Sequence, residues 1–118
     1  MSIITTVLAV LVAAEFFFIF YLETIATTSA RTAQTFNMTI DELSRPSVST
    51  LFKNQGVYNG VLAILLLVAA LVIPSKAAVV ALSVSMVAVA AYGAATSDPK
   101  ILLKQGLLPA ILLASCLI

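Results

Sequence analysis

The stretch that decides the fold class runs from residue 61 to residue 96 and reads VLAILLLVAALVIPSKAAVVALSVSMVAVAAYGAAT. Two apolar runs lie on either side of the short sequence Pro74, Ser75 and Lys76. A turn this short joins two helices only as an antiparallel hairpin. With residues 51–60 included in the first run, each run has the length of about 20 residues that a helix needs to cross a bilayer. The stretch therefore predicts a transmembrane helical hairpin.

The composition of the whole chain points the same way. Of its 118 residues, 62% are hydrophobic and 9% are charged, whereas an average soluble domain is about half apolar and about a quarter charged. So few charges cannot cover a water-facing surface, and we expect an integral membrane protein without a separate soluble catalytic domain. The net charge of +1 leaves no basic patch for nucleic acid. The absence of histidine and the single Cys116 argue against soft metal sites.

Two further apolar segments complete the predicted architecture. We expect an all-α integral membrane four-helix bundle that forms one domain over residues 1–118, with spans at about 3–24, 51–73, 77–96 and 101–118. A faint similarity between residues 10–15 and 87–92, and the sequence Gln-Gly at both 55–56 and 105–106, suggest two repeated helical hairpins. Chance matches between alanine-rich and valine-rich runs are the alternative to a duplication.

The polar connection at residues 25–50 carries two helix-start signals. Thr39 and Glu42 have the spacing of a capping box, which predicts a short interfacial helix. Pro46 suits the first turn of the helix that becomes the second span.

The distribution of basic residues predicts the orientation in the membrane. One side of the four-span arrangement carries five basic residues and the other carries Lys76 alone; the five are Arg31, Arg45, Lys53, Lys100 and Lys104. Because positive residues favour the cytoplasmic side, we expect a multi-pass protein of the cell membrane with both termini outside.

Polar side chains inside the spans are expensive and suggest a site. Glu15 lies about 13 Å from a boundary near Thr24, at about 1.5 Å per residue. We expect it to form a ligand-binding cluster in the cytoplasmic half of the bundle with five other residues, namely Gln55, Tyr58, Asn59, Tyr92 and Gln105. The alternative is that the amides only hold helices together.

Two other features near this cluster have simpler interpretations. We expect Glu23 to be an interfacial anchor that reaches water or the region of Arg31. Gly56 and Gly60 form a GxxxG pair, which is typical of close packing between membrane helices.

These patterns leave two functions open. The first is transport or binding of a small polar or cationic ligand by a protein that forms a homo-oligomer in the lipid bilayer, with Glu15 changing its protonation state. The second is a structural or accessory membrane protein whose polar residues only fix helix packing. No nucleophile and base occur together, so we expect no enzyme, and we expect no cofactor and no nucleic-acid partner.

Several strings of residues carry a resemblance to a known family. The chain resembles the DUF1304 family of small bacterial membrane proteins in four places. These are NQGVYNG at 54–60, the pair Leu22-Glu23, the pair Tyr92-Gly93, and QGLLPA at 105–110. The resemblance covers nearly the whole chain. It implies four spans and no assigned biochemical activity. The small multidrug transporters are similar only in length, number of spans and a glutamate in the first span.

Overall fold

The chain folds as helices without any β-strand. A computed structural model describes residues 1–118. The helices are α1 (Ile3–Phe20), α2 (Ala30–Phe36), α3 (Ile40–Ser44), α4 (Pro46–Leu67), α5 (Lys76–Thr96) and α6 (Leu107–Ser115). There are three π-helical segments: Tyr21–Ile25 follows α1, Val68–Val72 follows α4, and Leu102–Gly106 precedes α6. The predicted all-α class is confirmed.

Three helical segments are long and apolar enough to cross a membrane, and they correspond to the first three predicted spans. They are Ile3–Ile25, Pro46–Val72 and Lys76–Thr96. The fourth predicted span contains a shorter apolar helix, Leu102–Ser115. At about 1.5 Å per residue this helix is about 21 Å long, whereas the hydrocarbon core of a bilayer is about 30 Å thick. A fourth crossing, and with it the four-helix bundle, stays a prediction.

The polar connection contains both helix starts that the sequence predicts. The backbone N–H of Glu42 donates to Thr39 Oγ1 over 3.1 Å, and Glu42 Oε1 accepts from the backbone N–H of Thr39 over 3.0 Å. This capping box begins α3, and Pro46 is the first residue of α4. Both predictions are confirmed because the signals are local and need no tertiary contact.

Helix α2 was not predicted from the sequence. Ser29 Oγ accepts a hydrogen bond from the backbone N–H of Thr32 over 3.1 Å and begins the helix, and Asn37 ends it in the left-handed conformation with φ of 55°. The helix has seven residues and no apolar periodicity, so only its caps mark it in the sequence.

The helices belong to two compact units. One unit consists of Met1–Glu15 and Leu62–Ile118. Within it α5 packs against α6, and a β-carbon added to Gly106 would lie 3.1 Å from that of Ala90. The hydroxyl oxygens of the buried residues Thr5 and Ser115 are 2.9 Å apart. This hydrogen bond ties the beginning of α1 to the end of α6.

The other unit is Phe16–Val61. In this unit the guanidinium of Arg31 lies over the ring of Phe18, 5.3 Å from its centroid. The rings of Phe36 and Phe52 meet edge to face with centroids 5.2 Å apart. These contacts attach α2 to both helices that flank the polar connection.

Large apolar side chains are exposed along the three long helices. Examples from different helices are Leu11, Leu51, Ile64, Val84 and Val89. Soluble monomers rarely expose contiguous apolar surface on this scale, whereas lipid-facing helices do so as a rule. The exposed surface and the three long apolar segments together indicate a membrane protein.

Candidate functional site

The site is built around a π-helical turn at the end of α1. The backbone N–H of Ala26 donates to the carbonyl of Tyr21 over 2.8 Å, which is the five-residue spacing of a π-helix. The wider turn contains Glu23, whose side chain is completely buried. A buried carboxyl needs hydrogen-bond partners, since its desolvation is otherwise uncompensated.

The partners of Glu23 are two amides from α4. Gln55 Nε2 donates to Glu23 Oε2 over 2.7 Å, and Asn59 Nδ2 donates to Glu23 Oε1 over 2.6 Å. Gln55 and Asn59 are four residues apart, so both side chains project from one face of α4. An ionised carboxylate only accepts hydrogen bonds, and two amide donors match its two oxygens. The result is a carboxyl with a donor on each oxygen.

Two glycines allow α4 to approach the turn that closely. A β-carbon on Gly56 would collide with the hydroxyl oxygen of Thr24 and lie 3.0 Å from the Thr24 backbone nitrogen. A β-carbon on Gly60 would lie 3.1 Å from Cδ1 of Phe20. The predicted close packing at the GxxxG pair is confirmed, and the reason is steric: a side chain at Gly56 would meet the backbone and hydroxyl of Thr24, and one at Gly60 would crowd the ring of Phe20.

Threonine hydroxyls donate hydrogen bonds to backbone carbonyls at the π-helical turn and in α4 beside it. Thr24 Oγ1 donates to the carbonyl of Lys53 over 2.9 Å, across to α4. Thr27 Oγ1 donates to the carbonyl of Glu23 over 2.7 Å, and Thr32 Oγ1 donates to the carbonyl of Leu22 over 3.0 Å. Carbonyls at a helix end have no partner within the helix, and Thr27 and Thr32 supply donors to the carbonyls of Glu23 and Leu22. The Thr24 hydroxyl instead ties the turn to the interior of α4.

The six residues predicted to form one ligand-binding cluster divide between the two units. Gln55, Tyr58 and Asn59 belong to Phe16–Val61, and the other three residues belong to the unit of Met1–Glu15 and Leu62–Ile118. Only Gln55 and Asn59 are joined by a common partner, which is Glu23.

The four remaining predicted residues make no such contact. Tyr58 and Tyr92 are each 73% exposed, so their rings lie on outer helix faces. Gln105 is half-buried in the π-helical segment before α6. Glu15 is half-buried as well, and its Oε2 atom is buried without a hydrogen-bond partner.

The sequence interpretation of Glu23 as an interfacial anchor is wrong. Glu23 is fully buried, and Arg31 lies over Phe18 instead of pairing with it. The sequence does not show how the end of α1 is rotated toward α4, and that rotation brings Glu23 to the two amides. Helix α4 begins at Pro46, so Gln55 and Asn59 lie about two to four turns into the helix. Amides four residues apart, each followed by glycine, were the signal for a carboxyl held between them.

The comparisons with known proteins identify the family of this chain. A sequence profile described as "Protein of unknown function (DUF1304)" matches residues 10–117. The chain belongs to the DUF1304 family. The match includes Glu23, Gln55, Asn59 and both glycines of the GxxxG pair. The family resemblance of the sequence is confirmed.

One relative of this DUF1304 chain is similar over nearly its full length. It is "Uncharacterized protein YpaA" of Lactococcus lactis subsp. lactis (strain IL1403), which is 47% identical over 116 residues, or 98% of each chain. No solved structure gives a significant match.

The chemistry available at the DUF1304 site follows from its geometry. Glu23 has no water-exposed surface, and each of its oxygens already accepts a hydrogen bond. A ligand could reach the Glu23 carboxyl only if the packing around it opened, because the side chain is fully buried. No group of three or more His, Cys, Asp or Glu side chains is placed to hold a metal ion. The arrangement is suited to holding two helices in register.

Proposed function

We propose that this DUF1304 protein is a structural or accessory membrane protein whose intramembrane polar residues fix helix packing. The observation that carries the proposal is the pair of hydrogen bonds that occupies both carboxylate oxygens of the buried Glu23. Gly56 supports it, because the helices touch so closely there that no cavity separates them. A polar group used this way sets register and orientation, since any other alignment leaves it unpaired in lipid.

The proposed partners are the lipid bilayer and further copies of the chain. The exposed apolar faces of the long helices support a multi-pass position in the cell membrane. The excess of basic residues in the 25–50 connection and the 97–104 region supports an orientation with both termini outside. The proposal includes no catalytic reaction, no cofactor and no nucleic acid.

A second candidate function is transport or binding of a small polar or cationic ligand. The observation that favours it is Glu15, whose buried Oε2 has no hydrogen-bond partner. An ionisable side chain within a membrane span is costly unless it has a use, and proton relays use such carboxyls. In this alternative Glu15 binds a cation or exchanges a proton, and the hydrogen bonds of Glu23 only hold the helices in place.

One experiment separates the two functions. The protein and its Glu15→Gln and Glu23→Gln variants are reconstituted in liposomes with a pH gradient, and uptake of the cation ethidium and proton movement are followed by fluorescence. The structural proposal expects wild-type signals equal to those of empty liposomes, together with a lower unfolding temperature for Glu23→Gln in detergent. Wild-type flux that Glu15→Gln abolishes while the variant stays folded would overturn it in favour of transport.

A further inference from the structure

A groove with a volume of about 410 Å³ lies between the second half of α4, its π-helical extension and the first turns of α5. Its size falls within the range of about 300 to 1,000 Å³ that is typical of ligand sites. Most of the lining side chains are apolar, and they include Leu65, Val68, Ala69, Ile73, Ala78 and Ala81. Such a lining matches a hydrocarbon chain and offers no recognition to a polar solute.

The polar end of the groove is formed by the turn before α5. Ser75 lines the groove there, and its Oγ accepts a hydrogen bond from the backbone N–H of Ala78 over 3.2 Å. The carbonyl of Ser75 accepts from the N–H of Val79 over 3.0 Å. The N–H groups of Lys76 and Ala77 have no preceding helical turn to bond, so they point out of the helix end.

The residue that follows the groove-lining Ser75 in the chain is basic. Lys76 is exposed and is the first residue of α5, a helix of 21 residues. The lysine ammonium and the positive end of the helix dipole coincide there. A phosphate is the anionic group that free N–H groups at a helix start and a nearby lysine bind well.

The level of the groove in the membrane adds the final constraint. One apolar segment ends at Val72 and the next begins at Lys76, so the turn between them lies at a boundary of the apolar layer. The groove extends from this boundary along both helices into the apolar layer. We infer that it binds an anionic glycerophospholipid, with one acyl chain along the apolar lining and the phosphate at Lys76 and the start of α5. The inference requires the membrane position of the helices but not the proposed packing role of Glu23.

The test uses the full-length protein in a neutral detergent. Phosphatidylglycerol or phosphatidylcholine is added, and native mass spectrometry counts the lipids retained and gives their affinities. We expect wild-type protein to retain one phosphatidylglycerol more tightly than phosphatidylcholine. Lys76→Gln should weaken phosphatidylglycerol binding about fivefold, which corresponds to the attraction of one lysine near an anionic surface.

Two further variants make the result specific. Lys100→Gln is the matched control, because Lys100 is also an exposed lysine at the start of an apolar helical stretch, and it should leave lipid affinity unchanged. Ala81→Phe fills the groove from an exposed position and should remove the retained lipid of either headgroup. Circular dichroism verifies that each variant is helical, and the lysine pair decides the question even if Ala81→Phe does not fold.

Four outcomes would overturn the inference. The first is equal wild-type affinity for the two lipids, and the second is an equal effect of Lys76→Gln and Lys100→Gln. The third is that inorganic phosphate alone competes with phosphatidylglycerol as well as the intact lipid does, since the acyl chain would then have no role. The fourth is that Ala81→Phe changes the mass of the oligomer rather than the lipid count, because a second copy of the chain would then fill the groove.

Discussion

The side-chain amide of Asn59 donates a hydrogen bond of 2.6 Å to Oε1 of Glu23, which joins α4 to the turn at the end of α1. The carboxyl is fully buried, and the acceptor and the donor are 36 residues apart in sequence. Within the unit Phe16–Val61 this contact and its partner from Gln55 connect the two long helices through polar atoms.

Removal of the Glu23 carboxyl should destabilise the protein. Glu23→Leu leaves the amides of Gln55 and Asn59 without their acceptor, and each hydrogen bond between membrane helices is worth about 0.6 to 2 kcal/mol. Glu23→Gln should be intermediate, because one amide then meets a second donor in place of an acceptor. Thermal unfolding in detergent measures the difference. Glu15→Gln is the control, since the buried Oε2 of Glu15 has no hydrogen bond to lose; a Glu23→Leu variant as stable as wild type would contradict the role assigned to the carboxyl.

Alanine substitutions at Gly56 and Gly93 should have different effects on the free energy of unfolding, with Gly56→Ala the more destabilising. Gly56→Ala should lower the free energy of unfolding by about 1 to 3 kcal/mol, because its methyl group overlaps the backbone and hydroxyl of Thr24. Gly93→Ala is the matched control, since the added carbon meets only side-chain atoms of Ile101, the nearer at 3.3 Å, and no backbone atom of another segment. Alanine is also the better helix former, by about 1 kcal/mol. Gly93→Ala should therefore be neutral or stabilising, and the reverse order of the two variants would refute the close-packing argument.

The orientation in the membrane can be measured by cysteine labelling in a Cys116→Ser background. A cysteine at Pro74 should react with an impermeant reagent from outside, and a cysteine at Ser97 should react only from the cytoplasm. Pro74 is preferable to Ser75, whose hydroxyl begins α5 and would be lost. Labelling of each site from both sides would show that the protein inserts in two orientations.

The same assay determines whether the last helix crosses the membrane. If Leu102–Ser115 spans the bilayer, a cysteine at Ile118 should label from the side opposite to Ser97. The helix is about 21 Å long by residue count, so a crossing requires local thinning of the bilayer or flanking residues that complete the span. Labelling of Ile118 and Ser97 from one side would leave three crossings and place the two termini on opposite sides.

The capping box at α3 should respond to pH. Hydrogen bonds from the backbone and then the side chain of Thr39 lower the pKa of Glu42 below its ordinary value. A carboxyl with a lowered folded pKa contributes stability at neutral pH, and the contribution disappears as pH falls through that pKa. Nuclear magnetic resonance titration should place the wild-type pKa below about 4.3, and Thr39→Ala should raise it. An unchanged Glu42 pKa in Thr39→Ala would mean that the capping contact does not form in solution.

The elements that need no tertiary information were predictable from local signals in the sequence. The apolar runs predict the three long helices because a bilayer requires about 20 apolar residues per crossing. The capping box of Thr39 and Glu42 lies within four consecutive residues, and both of its hydrogen bonds form in the structure. The GxxxG pair at Gly56 and Gly60 predicts close packing because the absence of a side chain is itself the property that matters.

The partner of the amides could not be obtained in the same way. Glu15 and Glu23 are both glutamates of the first apolar segment, and the sequence does not show which of them faces the amides. The π-helical turn at Tyr21–Ile25 and the close approach of α4 place Glu23 beside Gln55 and Asn59. A π-helical turn depends on contacts from outside the helix, here from Thr32 and from the close approach of Gly56.

The sequence alone therefore predicted that lipid surrounds much of this protein and that the chain is all-helical. It also predicted where α3 and α4 begin and where two helices come close together. Each of these depends on composition or on residues within about one helical turn. The tertiary structure alone decided that Glu23 is the buried acceptor for Gln55 and Asn59, whereas Glu15 keeps an unpaired buried oxygen. The physical reason is that a hydrogen bond between distant segments depends on the rotation and depth of both helices, and a shift of either helix by one residue changes which side chains meet.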